Sequence, residues 1–301
     1  DMDTGVDKDP DMRLFLQESE KPAPHFDMRK GRWLGVPSWP SASIKEDTYF
    51  FNGNKLTTTP NETTFTERLT VSSPQTTGVF GGEWCGYGLG KVAPELPLDQ
   101  REDDSGSRIF DGDPLLKPIS IVGEGRVSLC VSSDTPQALI AVRLNSVHPD
   151  GAVERISYGV LNLSHRESNK TPDTLAPNKF YEVTVKLKGI AQVIPEGHQL
   201  RIAVSTSYWP LIWPSPTPTV ITIDPSRSKV NLPMLHDEDD FHDIKFLPPE
   251  HAKPLNVTVK KVGTESRTLT HKFDDLSTKF VVKRDDGSSI IDDIGTEISF
   301  T

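Results

Sequence analysis

From about residue 47 the chain is a series of short runs rich in β-branched and aromatic residues, separated by turn formers, with almost no helical periodicity. The runs read TYFF, ERLTVS, KPISIVG, RVSLCVSS, QALIAVRLNSV, ERISYGVLNLS, FYEVTVKLKG, QLRIAVSTS and TVITID. In one of them Tyr181, Val183, Val185 and Leu187 fall on one face, and Glu182, Thr184, Lys186 and Lys188 on the other. That alternation predicts a strand with one wet face. ALIAV and VITI are apolar on both faces, which predicts strands covered on one side by a second sheet and on the other by a loop or another domain. About ten such strands with turns between them predict an all-β fold, a jelly-roll β-sandwich of two antiparallel sheets.

The pattern also divides the chain. Residues 1–40 are charged and proline-rich, end in GRWLGVPSWP, and read as a connector whose Trp33 and Trp39 need a covering surface. Residues 41–235 are the sandwich. Residues 236–255 form an acidic, Pro-rich linker, and 256–301 resume with NVTVKKV, TLTHKF, KFVVKR and TEISFT, the start of a further, short β extension. The first residue is Asp1 rather than Met, and Thr301 falls inside a β run, so a fragment of a longer polypeptide is expected.

Composition sharpens this picture in three ways. The 25 prolines and 21 glycines in 301 residues suit many short elements joined by turns. A net charge of -10 with no basic run argues against nucleic acid or an anionic membrane as a partner. No apolar run approaches the roughly 20 residues of a membrane-spanning helix, and the acidic beginning is not a signal peptide. Cys85 and Cys130 form no CxxC and are read as reduced thiols of a cytoplasmic protein. The sequons at Asn61, Asn162 and Asn256 are read as chance matches.

Candidate chemistry begins with RLNSVHPDG, where His148 stands two places before Asp150. Such a pair could be half of a catalytic relay. It lies between two predicted strands with Pro, Asp and Gly in turn order, however, so the tip of a hairpin is the preferred reading. No serine occupies a G-x-S-x-G setting, and GGEWCGYGLG lacks the features of a phosphate-binding loop. HDEDDFHD, with His236 and His242, has neither the glycine of a calcium loop nor the spacing of a zinc helix. It is read as solvated linker, and neither metal nor cofactor is expected. In SYWPLIWPSP, Trp209 and Trp213 are expected to plug the end of the sandwich. In EWCGYG, the Gly-flanked Trp84, Cys85 and Tyr87 fit either a packed loop or the lining of a pocket.

Several stretches together resemble the C-terminal domain of the X-prolyl dipeptidyl aminopeptidase and cocaine esterase family of serine hydrolases. They are the His-Pro-Asp-Gly turn, Gly159 and Leu161, Arg166 and Ser168, the turn and strand of Gly197, His198, Leu200 and Arg201, the Asp99-Gln100-Arg101 stretch, and GRWLGVPSWP. They span residues 11 to 224 in the family's order. The resemblance implies a jelly roll packed on an α/β-hydrolase domain that lies upstream in the same polypeptide and carries the catalytic Ser, Asp and His. No catalytic residue is therefore expected in this chain, which alone should be inactive. The substrate of the whole protein would be a small acyl ester, amide or peptide, and Trp84, Cys85 and Tyr87 would line its pocket. The sequence departs from the family after Trp209-Pro210, where it runs LIWPSPTPTV, and in its tail beyond 256. The alternatives are a carbohydrate-binding sandwich and a purely structural or dimerising module, which leaves a homodimer open.

Overall fold

The computed structural model of the chain describes residues 5–60, 67–85, 95–239 and 241–300. It divides into two units. The first comprises Asp1–Ala23, Met28–Gly81 and Pro97–Lys245; the second comprises Pro24–Asp27, Gly82–Leu96 and Phe246–Thr301.

The first unit contains β1 (Met12–Glu18), β2 (Gly31–Val36), β3 (Ile44–Asn52), β4 (Lys55–Thr57), β5 (Leu69–Val71), the five-residue helix α1 (Arg101–Ser105), β6 (Arg108–Asp111), β7 (Ile119–Gly123), β8 (Arg126–Ser133), β9 (Leu139–Val147), β10 (Val153–Asn162), β11 (Tyr181–Lys186), β12 (Ile190–Ile194), β13 (Gln199–Ser205), β14 (Ile221–Leu235) and β15 (His242–Asp243). Two antiparallel ladders, β10-β9-β13-β6 and β11-β8-β14-β3, enclose one hydrophobic core. Ile140, Val142 and Leu144 of β9 meet Val127, Leu129 and Val131 of β8 there, with Ile202 and Val204 of β13 beside them. Each such side chain, fully withdrawn from water, contributes about 1.5–3 kcal/mol. The chain is an all-β sandwich. The β3-β4 hairpin, whose β4 pairs with β6, links one ladder to the other, and a bulge shifts the register of β14 on β8 between Asp224 and Lys229.

The two predicted burial patterns are both present. In β11, Val183 and Val185 are buried while Glu182, Thr184 and Lys186 are exposed. All nine residues of β9 are buried, because the outer face of that strand is covered by the α1 segment and Tyr208.

Within the stretch expected as a connector, β1 and β2 form an antiparallel pair. Leu14 and Leu16 alternate inward and meet Leu34 and Val36, and together with Val122 and Leu235 they build a second, smaller core. Trp33 lies against Phe15, ring centroids 5.4 Å apart. A parallel ladder of only two residue pairs, Gln17 with Gln192 and Glu18 with Val193, joins this arm to β12. The acidic segment that follows β14 adds β15 to the edge of β2.

The second unit contains β16 (Val257–Lys261), β17 (Thr264–His271), β18 (Thr278–Asp285), β19 (Gly287–Ile291) and β20 (Thr296–Phe300). They form a three-stranded sheet β16-β19-β20 and the hairpin β17-β18. Arg267 of β17 pairs with Glu83 and with Glu265 in this unit.

Candidate functional site

His148 and Asp150 do form a hairpin tip. The His148 amide donates to Ala152 O at 2.8 Å, the Gly151 amide donates to His148 O at 2.8 Å, and Gly151 takes φ 87°, a left-handed conformation that glycine adopts without a Cβ penalty. Asp150 accepts from the Ala152 amide and pairs with Lys21. The imidazole of His148 turns inward and is 8% exposed. Its neighbour Ser146 shares a 2.9 Å hydrogen bond with His198 Nδ1, but that serine is fully buried, so no substrate reaches its hydroxyl.

The Asp99-Gln100-Arg101 stretch organises a buried charge cluster. Asp99 Oδ1 accepts from the amides of Arg101 and Val153, which starts α1 and ties it to β10. Gln100 is fully buried and donates to Phe80 O at 2.9 Å and Leu98 O at 2.7 Å. The turn of α1 then delivers Asp103 and Asp104 onto the outer face of β9 and β13. Asp104 accepts from Arg143 Nη2 at 2.9 Å and Arg201 Nη1 at 3.0 Å, and Arg201 also holds Asp111 through two bonds of 2.6 and 2.9 Å. Asp103 accepts from the Gly78 amide at 2.8 Å, which fixes the base of the preceding loop. Burial raises both carboxyls above the usual aspartate range, with the Arg143 charge opposing it. Burial lowers the Arg201 guanidinium, and the bonds to Asp111 and Asp104 outweigh it, leaving the group raised. Arg143 and Arg201 set two cations against the three carboxyls, and the chemistry of the cluster is that of a scaffold.

The other residues that carried the resemblance are structural as well. Arg166 donates to Leu163 O at 3.1 Å and to Asp173, and lies over the Tyr181 ring. Ser168 accepts from the amides of Lys170 and Thr171. At Gly159 β10 runs so close to the end of β11 that a Cβ would collide with the Lys186 carbonyl.

Trp84 and Cys85 both lie in the second unit; Trp84 is 59% exposed, and the Cys85 thiol is free and exposed. Tyr87, the third residue expected to line a pocket, lies outside the described residues. Trp213 does not plug the sandwich end: it is 87% exposed. Tyr208 takes the buried place instead, with Arg155 bonded to its hydroxyl and Arg143 over its ring, and the Pro-rich segment turns outward through the bond from the Ile212 amide to Tyr208 O. An open cavity of about 400 Å³ adjoins Trp213, with Leu139, Val160 and Leu161 among its apolar and Gln137, Asn162 and Ser164 among its polar residues.

His236 and His242 are not brought together. His236 Nε2 bonds Asp47 at 3.0 Å, and His242 sits in β15. Among the described residues no group of three or more His, Cys, Asp or Glu side chains is arranged to hold a metal ion, and no helix is long and apolar enough to cross a membrane.

Residues 4–243 match the family described as the X-Pro dipeptidyl-peptidase C-terminal non-catalytic domain. The chain belongs to that family. It is 27% identical over 118 residues to the cocaine esterase of a Rhodococcus species, covering 39% of this chain and 20% of that one. It is 24% identical over 241 residues to a Mycobacterium bovis protein carrying a serine esterase name, covering 72% and 38%. The chain thus spans well under half the length of these relatives. A solved structure of a CocE/NonD family hydrolase from Staphylococcus aureus superposes with a TM-score of 0.57 at 13% identity, over 78% of this chain and 43% of that one, and shares the fold.

Proposed function

We propose that this chain is the non-catalytic part of a cytoplasmic serine hydrolase acting on a small acyl ester, amide or peptide. In this reading it packs on an α/β-hydrolase domain of the same polypeptide and shapes that domain's substrate pocket with Trp84, Cys85 and Tyr87. The observation that carries the proposal is the family match over residues 4–243 to a domain described as non-catalytic. It is supported by the exposed Trp84 and Cys85, which follow Gly81-Gly82-Glu83, and by the full burial of Ser146, whose hydroxyl bonds a histidine. The test is fluorophosphonate labelling of the complete polypeptide, followed by peptide mapping. The label is expected on a serine outside residues 1–301, and the chain expressed alone should turn over neither p-nitrophenyl esters nor X-Pro anilides. A labelled serine within these residues overturns the reading.

One observation favours a second reading, a sugar-binding sandwich. Trp213 stands exposed beside a cavity that also offers the side-chain amides of Gln137 and Asn162. That combination of an aromatic platform with amide groups suits a pyranose ring. Saturation-transfer NMR with a panel of oligosaccharides decides it: contact that is lost in Trp213→Ala supports sugar binding, and no contact removes it.

A further inference from the structure

The inward-turned His148 belongs to a buried polar cluster that no part of the proposed function uses. Its ring lies 4.3 Å from that of His198, centroid to centroid, with the planes tilted by 49°. His198 Nδ1 is bonded to Ser146, while among the described residues His148 Nε2 has no hydrogen-bond partner and lies 3.7 Å from Glu154 Oε2. Glu154 is itself buried. Gln192 Nε2 of β12 donates to its Oε1 at 2.8 Å, and the hydroxyl of Ser19, the residue after β1, donates to its Oε2. Arg29 Nη2 stands 3.8 Å from Oε1 and its Nε 3.7 Å from Glu20, and Asp150 with its partner Lys21 lies at the hairpin tip.

Two features of this arrangement make it responsive to acid. Ser19 and His148 address the same oxygen of Glu154, so a proton on His148 places a cation beside the oxygen that Ser19 bonds. Ser19 directly follows the two-pair parallel ladder that joins β1 to β12, and Gln192 is part of that ladder. Glu154 therefore reinforces the ladder that joins the β1-β2 arm to β12, beside the small core the arm shares with Val122 and Leu235. A second proton, on His198, would set two cations in contact in a desolvated place.

We propose that His148, His198 and Glu154 form an acid-sensitive clasp that holds the β1-β2 arm on the sandwich near neutral pH and releases it when the imidazole pair takes up two protons. Burial lowers the pKa of His198 from its ordinary 6.5, and the neighbouring His148 lowers it further, against the pull of Glu154 and Asp150. A state in which the imidazole pair is open to water thus binds the proton more readily than the closed one. The contribution of His198 to holding the arm is present above about pH 6.5 and is lost as pH falls from there toward the depressed value.

The test is hydrogen exchange read by mass spectrometry on the complete protein, at about pH 7.5 and about pH 5.5, corrected for intrinsic exchange. Amides of residues 12–36 should open about 10-fold more readily at the lower pH, while those of β8 and β14 keep their protection, and the double variant His148→Gln, His198→Gln should lose the difference. Should that variant not fold, an NMR titration of the imidazole carbons in the unaltered protein decides the question: one of the two rings should titrate below the ordinary value and the other should respond to it. Arm protection that does not change with pH, an unchanged pH effect in the folded double variant, or two rings titrating independently in the ordinary range each overturn the clasp.

Discussion

Asp104 accepts a hydrogen bond from Arg143 Nη2 at 2.9 Å, with both side chains all but removed from solvent. The pair joins the α1 turn to the outer face of β9, and through Arg201 it extends to β13 and β6. A strand that would otherwise show an apolar outer face carries Arg143 and Asn145 there because a loop supplies the compensating carboxylates.

Removing Asp104 takes from the buried Arg143 its shorter ion pair and leaves it the 3.7 Å approach of Asp103 and the bond to Ser107 Oγ. Asp104→Ala should therefore lower stability to denaturant by about 3–5 kcal/mol, whereas replacing both partners by apolar residues of similar volume should cost much less. Urea unfolding of the two single variants and the double variant measures this. Single variants as stable as the parent would show that the cluster is hydrated and energetically slight.

Gly159→Ala should lower stability by about 1–3 kcal/mol, because the added methyl meets the Lys186 carbonyl, which is backbone and cannot swing away. Gly151→Ala has open space around the new Cβ and should suffer only from its φ of 87°, at a cost of about 1 kcal/mol. Thermal melts of the two variants, compared directly, should rank them in that order.

The extent to which the fold was legible depended on the range of the forces involved. Val183 and Val185 against Thr184 and Lys186 is a local pattern, and so is the His-Pro-Asp-Gly turn; both predicted the observed elements from a few consecutive residues. The strands β1 and β2 went unread, because Arg13, Gln17 and the surrounding prolines mask an alternation that only Leu14 and Leu16, and then Leu34 and Val36, display. Asp103 and Asp104 gave no signal of their own, since their partners Arg143 and Arg201 arrive from distant strands. A sign was nonetheless available in the position of Arg143, a lone charge inside the apolar run LIAVRL. Trp213 was misplaced because composition identifies a Pro-rich segment as irregular but does not set the direction in which it turns.

Chelation should leave the melting temperature of the complete protein unchanged. His236 already uses its Nε2 on Asp47, and His242 is held in β15. A melt with and without EDTA, and with calcium or zinc at low micromolar concentration, checks this. A clear rise with either cation would mean that the acidic segment closes around an ion.

On the proposed function, Trp84→Ala in the complete polypeptide should change substrate preference more than stability. The side chain is 59% exposed, and its loss opens no cavity in either of the hydrophobic clusters, to which it does not belong. If it lines the acyl pocket, removing it withdraws about 1–3 kcal/mol of contact from a bulky acyl group and little from a small one, and the ratio of kcat/KM between benzoyl and acetyl esters should shift by about 10-fold. In the proposed reading the nucleophile lies outside this chain, and turnover of the acetyl ester should then persist. The kinetic comparison is made beside a thermal melt of the same preparations. An unchanged ratio accompanied by a large fall in melting temperature would assign Trp84 to packing, and the pocket role proposed for Cys85 and Tyr87 would fall with it.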